Sequence, residues 1–318
     1  MKLIRLMLFI ALPLVANAHD EPPLRVVATV GMIGDVAQTV AGECAEVQTL
    51  LTPGTDPHYY EATPRDVRTL ESAELIFYVD VTLEERLGSV LANFSRRTPT
   101  VGIAQAAFSE ADLLFEEADT IDPHLWMDAN RWGQIAPIIA TEIAKQRPEC
   151  AAQMMANATS YQNQLTALND WIIEAISSIP ENQRMLVTAH DAFYYYSDAY
   201  GIVASEAIEG ISTESEASIG DIRAVAKFVV TNAVPAVFVE TTISPRNIEA
   251  LVAESQSMGH NVNIGGSLFS DSLGENATAE GTYIGMLKAN TETITTALGG
   301  TVPPWPDALN GWANTWNQ

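Results

Sequence analysis

The sequence predicts an α/β protein of two βα lobes, each with a parallel four-stranded sheet, joined by one long spine helix, with a site in the cleft between the lobes. Three observations carry this. Short β-branched runs alternate with helix-periodic stretches up to residue 147, and the same alternation returns after residue 180. Between Pro148 and Pro180 there is neither glycine nor proline, and apolar residues recur at Met154, Ala158, Tyr161, Leu165, Leu168, Ile172, Ala175 and Ile179. That spacing of three and four is one face of a helix, which at 1.5 Å per residue would reach roughly 45 Å.

Taken in order, residues 1–18 read as a targeting signal. Lys2 and Arg5 precede an apolar run over 6–15, too short to span a bilayer well, and Ala16-Asn17-Ala18 is a small-residue cleavage site. The mature chain is expected to start near His19, outside the cytoplasm (the periplasm, in a Gram-negative cell). No cysteine stands at the cleavage point, so no lipid anchor is expected. Residues 24–30, 47–51, 75–79 and 100–103 read as strands of the first lobe (24–147), with helices over 33–40, 64–72, 83–94 and 129–146 and an acidic loop over 109–122. The spine takes 148–180. In the second lobe (181–300), 185–189, 203–208, 236–240 and 262–265 read as strands, with helices around 192–199, 219–231, 246–257 and 282–298. Residues 301–318, with Trp305, Trp312 and Trp316, read as an irregular tail packed on the second lobe.

Composition narrows the function. Forty acidic side chains against sixteen basic ones give a net charge of −24, and removing residues 1–18 makes it more negative. Such a surface repels nucleic acid and anionic membrane. The two cysteines, Cys44 and Cys150, permit one disulfide in an exported chain. Neither has a cysteine or histidine at ligand spacing, which favours a structural bridge over a metal role.

The chemistry gathers on a tripeptide used twice. Asp56-Pro57-His58 follows the second predicted strand, and Asp122-Pro123-His124 follows the acidic loop. In each, proline fixes its own φ and holds the preceding aspartate extended, so the imidazole sits on a stiff turn. His190, in Thr188-Ala189-His190-Asp191, stands at a third strand-to-loop junction. Asp271, in Phe269-Ser270-Asp271, is one acid among several that can complete the set. All four follow the carboxyl ends of predicted strands, where open α/β sheets bind their ligands. His19 and His260 read as a terminus and an exposed loop. Three neutral imidazoles and a carboxylate suit zinc, with manganese second if the carboxylate binds through both oxygens. A zinc hydrolase is the competing enzyme reading. Yet there is no His-Glu-x-x-His, no G-x-S-x-G and no glycine-rich phosphate loop, and four protein ligands leave no position for a reacting water.

At these residues the chain resembles the periplasmic solute-binding proteins of manganese/zinc ABC importers, the group with a rigid helical spine. The likeness is collinear over 26–298. It runs through Pro53-Gly54-Thr55-Asp56-Pro57-His58, Asp122-Pro123-His124-Leu125-Trp126-Met127-Asp128, Thr188-Ala189-His190-Asp191-Ala192-Phe193, Gly210-Ile211-Ser212-Thr213-Glu214-Ser215-Glu216-Ala217 and Phe269-Ser270-Asp271-Ser272-Leu273-Gly274. The resemblance implies His58 and His124 as first-lobe ligands and His190 and Asp271 from the second. It implies a carrier, monomeric and not an enzyme, that delivers its ion to a membrane permease driven by a cytoplasmic ATPase. Some relatives have been viewed as surface adhesins, which is the alternative of another class. Zinc-specialised members often carry a histidine-rich loop before the second ligand, and here 109–122 has no histidine. Manganese-specialised members often place glutamate where this chain has His190, so the expected ion is zinc first and manganese second. Because the spine opposes wide opening, release is expected to loosen loop 267–274, whose flanking Gly265-Gly266 and Gly274 offer flexible backbone.

Overall fold

The computed structural model describes residues 22–117, 120–214 and 217–317. The expected targeting segment 1–18 and the start at His19 lie outside the described residues. The first lobe follows from its apolar runs. Strand β1 (Leu24–Ala28) is buried on both faces and is followed by helix α1 (Gly31–Ala41) and β2 (Ala45–Thr49). Helix α2 (Pro64–Ser72) starts on a capping box between Thr63 and Asp66, with Pro64 in the first turn, where its missing N–H costs nothing. Then come β3 (Leu75–Tyr78), α3 (Gly88–Phe94), β4 (Thr100–Gly102) and α4 (Ile103–Ala107). The four strands form one parallel sheet in the order β2-β1-β3-β4. Its central strands carry the continuous apolar sequence that burial on two faces requires.

Three segments differ from the sequence reading. The helix expected over 83–94 begins only at Gly88 after a 3-10 turn. Asp80, Val81 and Thr82 all adopt positive φ, and the buried Glu84 carboxylate accepts from the N–H groups of Val79 and Asp80 and from the Thr29 hydroxyl, at 2.9, 3.1 and 2.6 Å. That turn is unusual for a β-branched residue such as Val81. The acidic loop contains a short antiparallel hairpin, β5 (Phe115–Glu117) with β6 (Thr120–Ile121), where Phe115 pairs with Ile121. The helix expected over 129–146 is two: α5 (Ala129–Trp132) and α6 (Ile135–Ala144). Pro137 is tolerated only in a first turn, so the helix restarts just ahead of it.

The spine α7 (Ala151–Ser177) has 27 residues, about 40 Å of helix. Every residue of the expected stripe is buried, joined by Trp171 and Ile176. It packs on α1, α5 and α6 of the first lobe and on helices of the second, so the two lobes share one apolar core. Cys44 and Cys150 form a disulfide at the first lobe's outer end, 106 residues apart in sequence.

The second lobe runs β7 (Met185–His190), α8 (Tyr194–Tyr200), β8 (Ala204–Glu209), α9 (Ile219–Thr231), β9 (Ala236–Glu240), α10 (Arg246–Ser257), β10 (Asn263–Leu268) and α11 (Tyr283–Ala297). Successive residues face opposite cores. Ala236 and Phe238 join the spine's core, while Val237 joins the smaller one under α9 and α10. The expected four-stranded sheet is here two parallel pairs, β7 with β8 and β9 with β10, lying side by side. At the carboxyl end of the seam the Glu240 side chain accepts from the N–H groups of Ala189 and His190, at 2.8 and 2.9 Å, and so links β9 to β7.

The tail corrects its expectation too. After Leu298 it crosses the spine and α11 and ends in a helix, α12 (Asn310–Trp316). Trp171 Nε1 of the spine donates to the Pro303 carbonyl, Trp305 packs on Trp171, and Trp312 Nε1 donates to Thr282 Oγ1. Its apolar rings find a spine already shared by both lobes. Among the described residues no helix is long and apolar enough to cross a membrane.

Candidate metal centre

The two Asp-Pro-His turns are built alike. In each, the aspartate accepts from the histidine's own backbone N–H at 2.9 Å, Asp56 for His58 and Asp122 for His124, so the ring is presented by a closed local turn. His190 is the last residue of β7 rather than the start of a loop. Asp271 follows β10 on a segment held at several points. Trp126 Nε1 donates to the Ser270 carbonyl at 2.8 Å, Gly54 N to Ser272 Oγ at 2.9 Å, and Asn290 exchanges two hydrogen bonds with the Phe269 backbone.

The fold brings all four residues together. His58, His124, His190 and Asp271 each offer a ligand atom, and these atoms lie within 4.8 Å of one another. Nε2 of His190 and of His124 stand 3.2 and 3.3 Å from the Asp271 oxygens, and Nε2 of His58 stands 3.7 Å away. His124 and His190 are fully buried, and Asp271 and His58 are 2% and 4% exposed. The three Nε2 atoms and both Asp271 oxygens have no hydrogen-bond partner. Such orphaned buried atoms are costly unless something pairs with them, and five converging nitrogens and oxygens can hold one divalent cation.

Behind the candidate ligands stand two carboxylates to which the sequence reading assigned no such role. Asp122 Oδ1 lies 2.6 Å from His124 Nδ1, and Glu240 Oε2 lies 2.5 Å from His190 Nδ1. A carboxylate on one ring nitrogen leaves the other free to face a metal. Glu240 closes the run Ala-Val-Phe-Val-Glu at the same sheet end as His190, and that acid at a strand's carboxyl end was the available signal. His260 is elsewhere, with Nε2 on the Val234 carbonyl.

The charges follow this arrangement. Burial opposes a proton on His124, but Asp122 and Asp271 outweigh it and raise the ring to about 9. His190 is likewise disfavoured by burial yet carried well above its ordinary value by Glu240 and Asp271. His58 has no such backing. Burial drives it down to about 3, Asp271 opposing and the other two rings adding to the fall. Burial would raise Asp271, but His190 and His124 hold it well below the usual carboxylate range.

Two of the glycines around Asp271 also serve packing, while Gly266 takes a positive φ of 151°. A side chain at Gly265 would meet Ala297, Phe238 and Ala236 at 2.7 to 3.0 Å, and one at Gly274 would meet Glu280 at 2.6 Å. They permit close packing, and hydrogen bonds at Phe269, Ser270 and Ser272 hold the segment between them.

With this geometry in hand, comparison with known proteins is specific. Residues 26–297 match the family model described as ZnuA, zinc-uptake complex component A, periplasmic. The zinc-binding protein TroA of Treponema pallidum is 39% identical over 281 residues, 88% of this chain and 90% of that protein. The manganese-binding lipoprotein MntA of Bacillus subtilis is 36% identical over 283 residues, 89% and 92% of the two chains. The solved periplasmic zinc-binding protein TroA from T. pallidum superposes with a TM-score of 0.84 at 37% identity, covering 87% of this chain and 99% of that one. The chain belongs to the ZnuA family, the periplasmic zinc- and manganese-binding solute-binding proteins of ABC importers.

Proposed function

We propose that the chain captures a divalent transition-metal ion outside the cytoplasm and hands it to the permease of an ABC importer driven by a cytoplasmic ATPase, with His58, His124, His190 and Asp271 as the four ligands. One observation carries the ligand assignment: five buried nitrogen and oxygen atoms with no hydrogen-bond partner converge from both lobes on one point. The metal is the cargo of a binding protein, and the family is not one of enzymes. Three imidazoles favour zinc, and an Asp271 whose two oxygens both face the cluster keeps manganese as the second ion. The same reading divides the chain into a first lobe (24–147), a spine (148–180), a second lobe (181–300) and a tail (301–318). A net charge of −24 supports a carrier without nucleic acid or anionic membrane as partners, acting as a monomer. Some relatives are named lipoproteins. Both cysteines of this sequence are joined to each other, which supports a form carrying no lipid.

Metal analysis of protein purified from its own periplasm, followed by titration of the stripped protein, tests the proposal. One zinc or manganese ion per chain is expected. Stripped protein that takes up neither ion would refute it. In competition titrations His190→Glu should move preference from zinc toward manganese, by exchanging a nitrogen donor for an oxygen donor.

A further inference from the structure

Second-lobe residues 211–214 reach back across the cleft onto the turn that carries His58. Thr213 Oγ1 donates to Asp56 Oδ2 at 2.7 Å, and Tyr59 Oη donates to the Glu214 carbonyl at 2.8 Å. From the first lobe, Arg86 Nε donates to Glu214 Oε1 at 2.6 Å, and its Nη1 lies 3.3 Å from Glu61. The Arg86 guanidinium also stacks on the Tyr59 ring, 4.5 Å from its centre. Arg86 has a firm base, since the turn before it is locked by Glu84. Beneath this cluster lies His58, the least enclosed ligand, beside the exposed Tyr59.

We propose that Arg86 and Glu214, acting with Tyr59, are positioning residues that set the rate at which metal enters and leaves, by tying the His58 turn to the second lobe. The inference rests on the metal-site reading above. Neither Arg86 nor Glu214 touches the four ligands, so the tie governs access without supplying affinity. None of its bonds uses a side chain of the four ligands, so the tie is open to the metal-free and the metal-bound forms alike. Its removal therefore speeds arrival and departure together, because an opening equally available to both forms shifts neither equilibrium.

Stopped-flow mixing of zinc with stripped protein, and of zinc-loaded protein with a chromogenic chelator, reads the two rates. Arg86→Ala and Glu214→Ala should each raise both by roughly two- to fivefold, the range of a half-exposed ion pair, with Kd for zinc unchanged. The double variant should be no faster than either single one, since the two side chains form one interaction, and Tyr59→Phe should move both rates the same way. Unchanged rates, additive effects, or a departure rate that rises in step with Kd would overturn the proposal. A wild-type protein that takes no zinc would instead refute the metal site itself.

Discussion

The two Asp-Pro-His turns share a sequence and a backbone hydrogen bond, yet their aspartates serve different ends. Asp122 is fully buried and spends the same oxygen on the His124 backbone and on its ring. Asp56 is half-buried and turns its second oxygen outward to Thr213 of the other lobe. His124 is therefore fixed in orientation by its own turn, as His190 is by Glu240. Among the described residues no carboxylate is paired with the second ring nitrogen of His58. A repeated motif thus yields one anchored imidazole and one that depends on a neighbouring loop, because burial decides where the carboxylate points.

The largest expected effect breaks this contrast directly. His58→Ala, His124→Ala and His190→Ala should each weaken zinc binding beyond the ten- to hundredfold typical of losing a supporting group. Their stabilities should diverge. His124→Ala and His190→Ala strand the buried Asp122 or Glu240 carboxylate and should cost the metal-free protein about 3–5 kcal/mol in denaturant unfolding, the usual penalty for breaking a buried pair. His58→Ala strands no such group and should leave the midpoint nearly unchanged. Equal losses at all three positions would dissolve the distinction.

Next in size are the backing carboxylates. Asp122→Asn and Glu240→Gln should lower zinc affinity about ten- to hundredfold by isothermal titration, whereas Asp56→Asn should change it far less.

The pH dependence sharpens the comparison further. A ring nitrogen must be unprotonated to take metal. With His124 raised to about 9 and His58 lowered to about 3, affinity should fall as pH drops below about 9, and the protons released on binding should come from His124 and His190. Titration in buffers of different ionisation enthalpy counts them. The linkage has a definite sign. His124 is raised above its ordinary 6.5, so its contribution to metal-free stability is complete below about 6.5 and is lost as pH rises through about 9. Asp122→Asn should flatten that slope in denaturant melts across this range.

The smallest effect concerns the seam between the loops of His58 and Asp271. Ser272→Ala removes the acceptor for Gly54 N and should cost about 1 kcal/mol. Hydrogen exchange on stripped protein should then rise over residues 54–61 more than over 267–274, which Trp126 and Asn290 still hold.

Much of this molecule was legible in the chain. The apolar stripe from Met154 to Ala175 needed only helical periodicity, and the paired Asp-Pro-His turns are local geometry imposed by proline. The alternation of strands and helices placed all four candidate ligands at one end of their sheets. Other features belong to the tertiary structure alone. Nothing in residues 56–58 and 122–124 says which aspartate will face a ring and which a threonine from the other lobe. Glu240 bonding the end of β7, the glycines beside Asp271 serving close packing, and Arg86 meeting Glu214 across the cleft depend on residues far apart in sequence. Periodicity and turn chemistry are short-range and survive in the sequence. Burial and the pairing of distant charges are decided only when the lobes close on their shared spine.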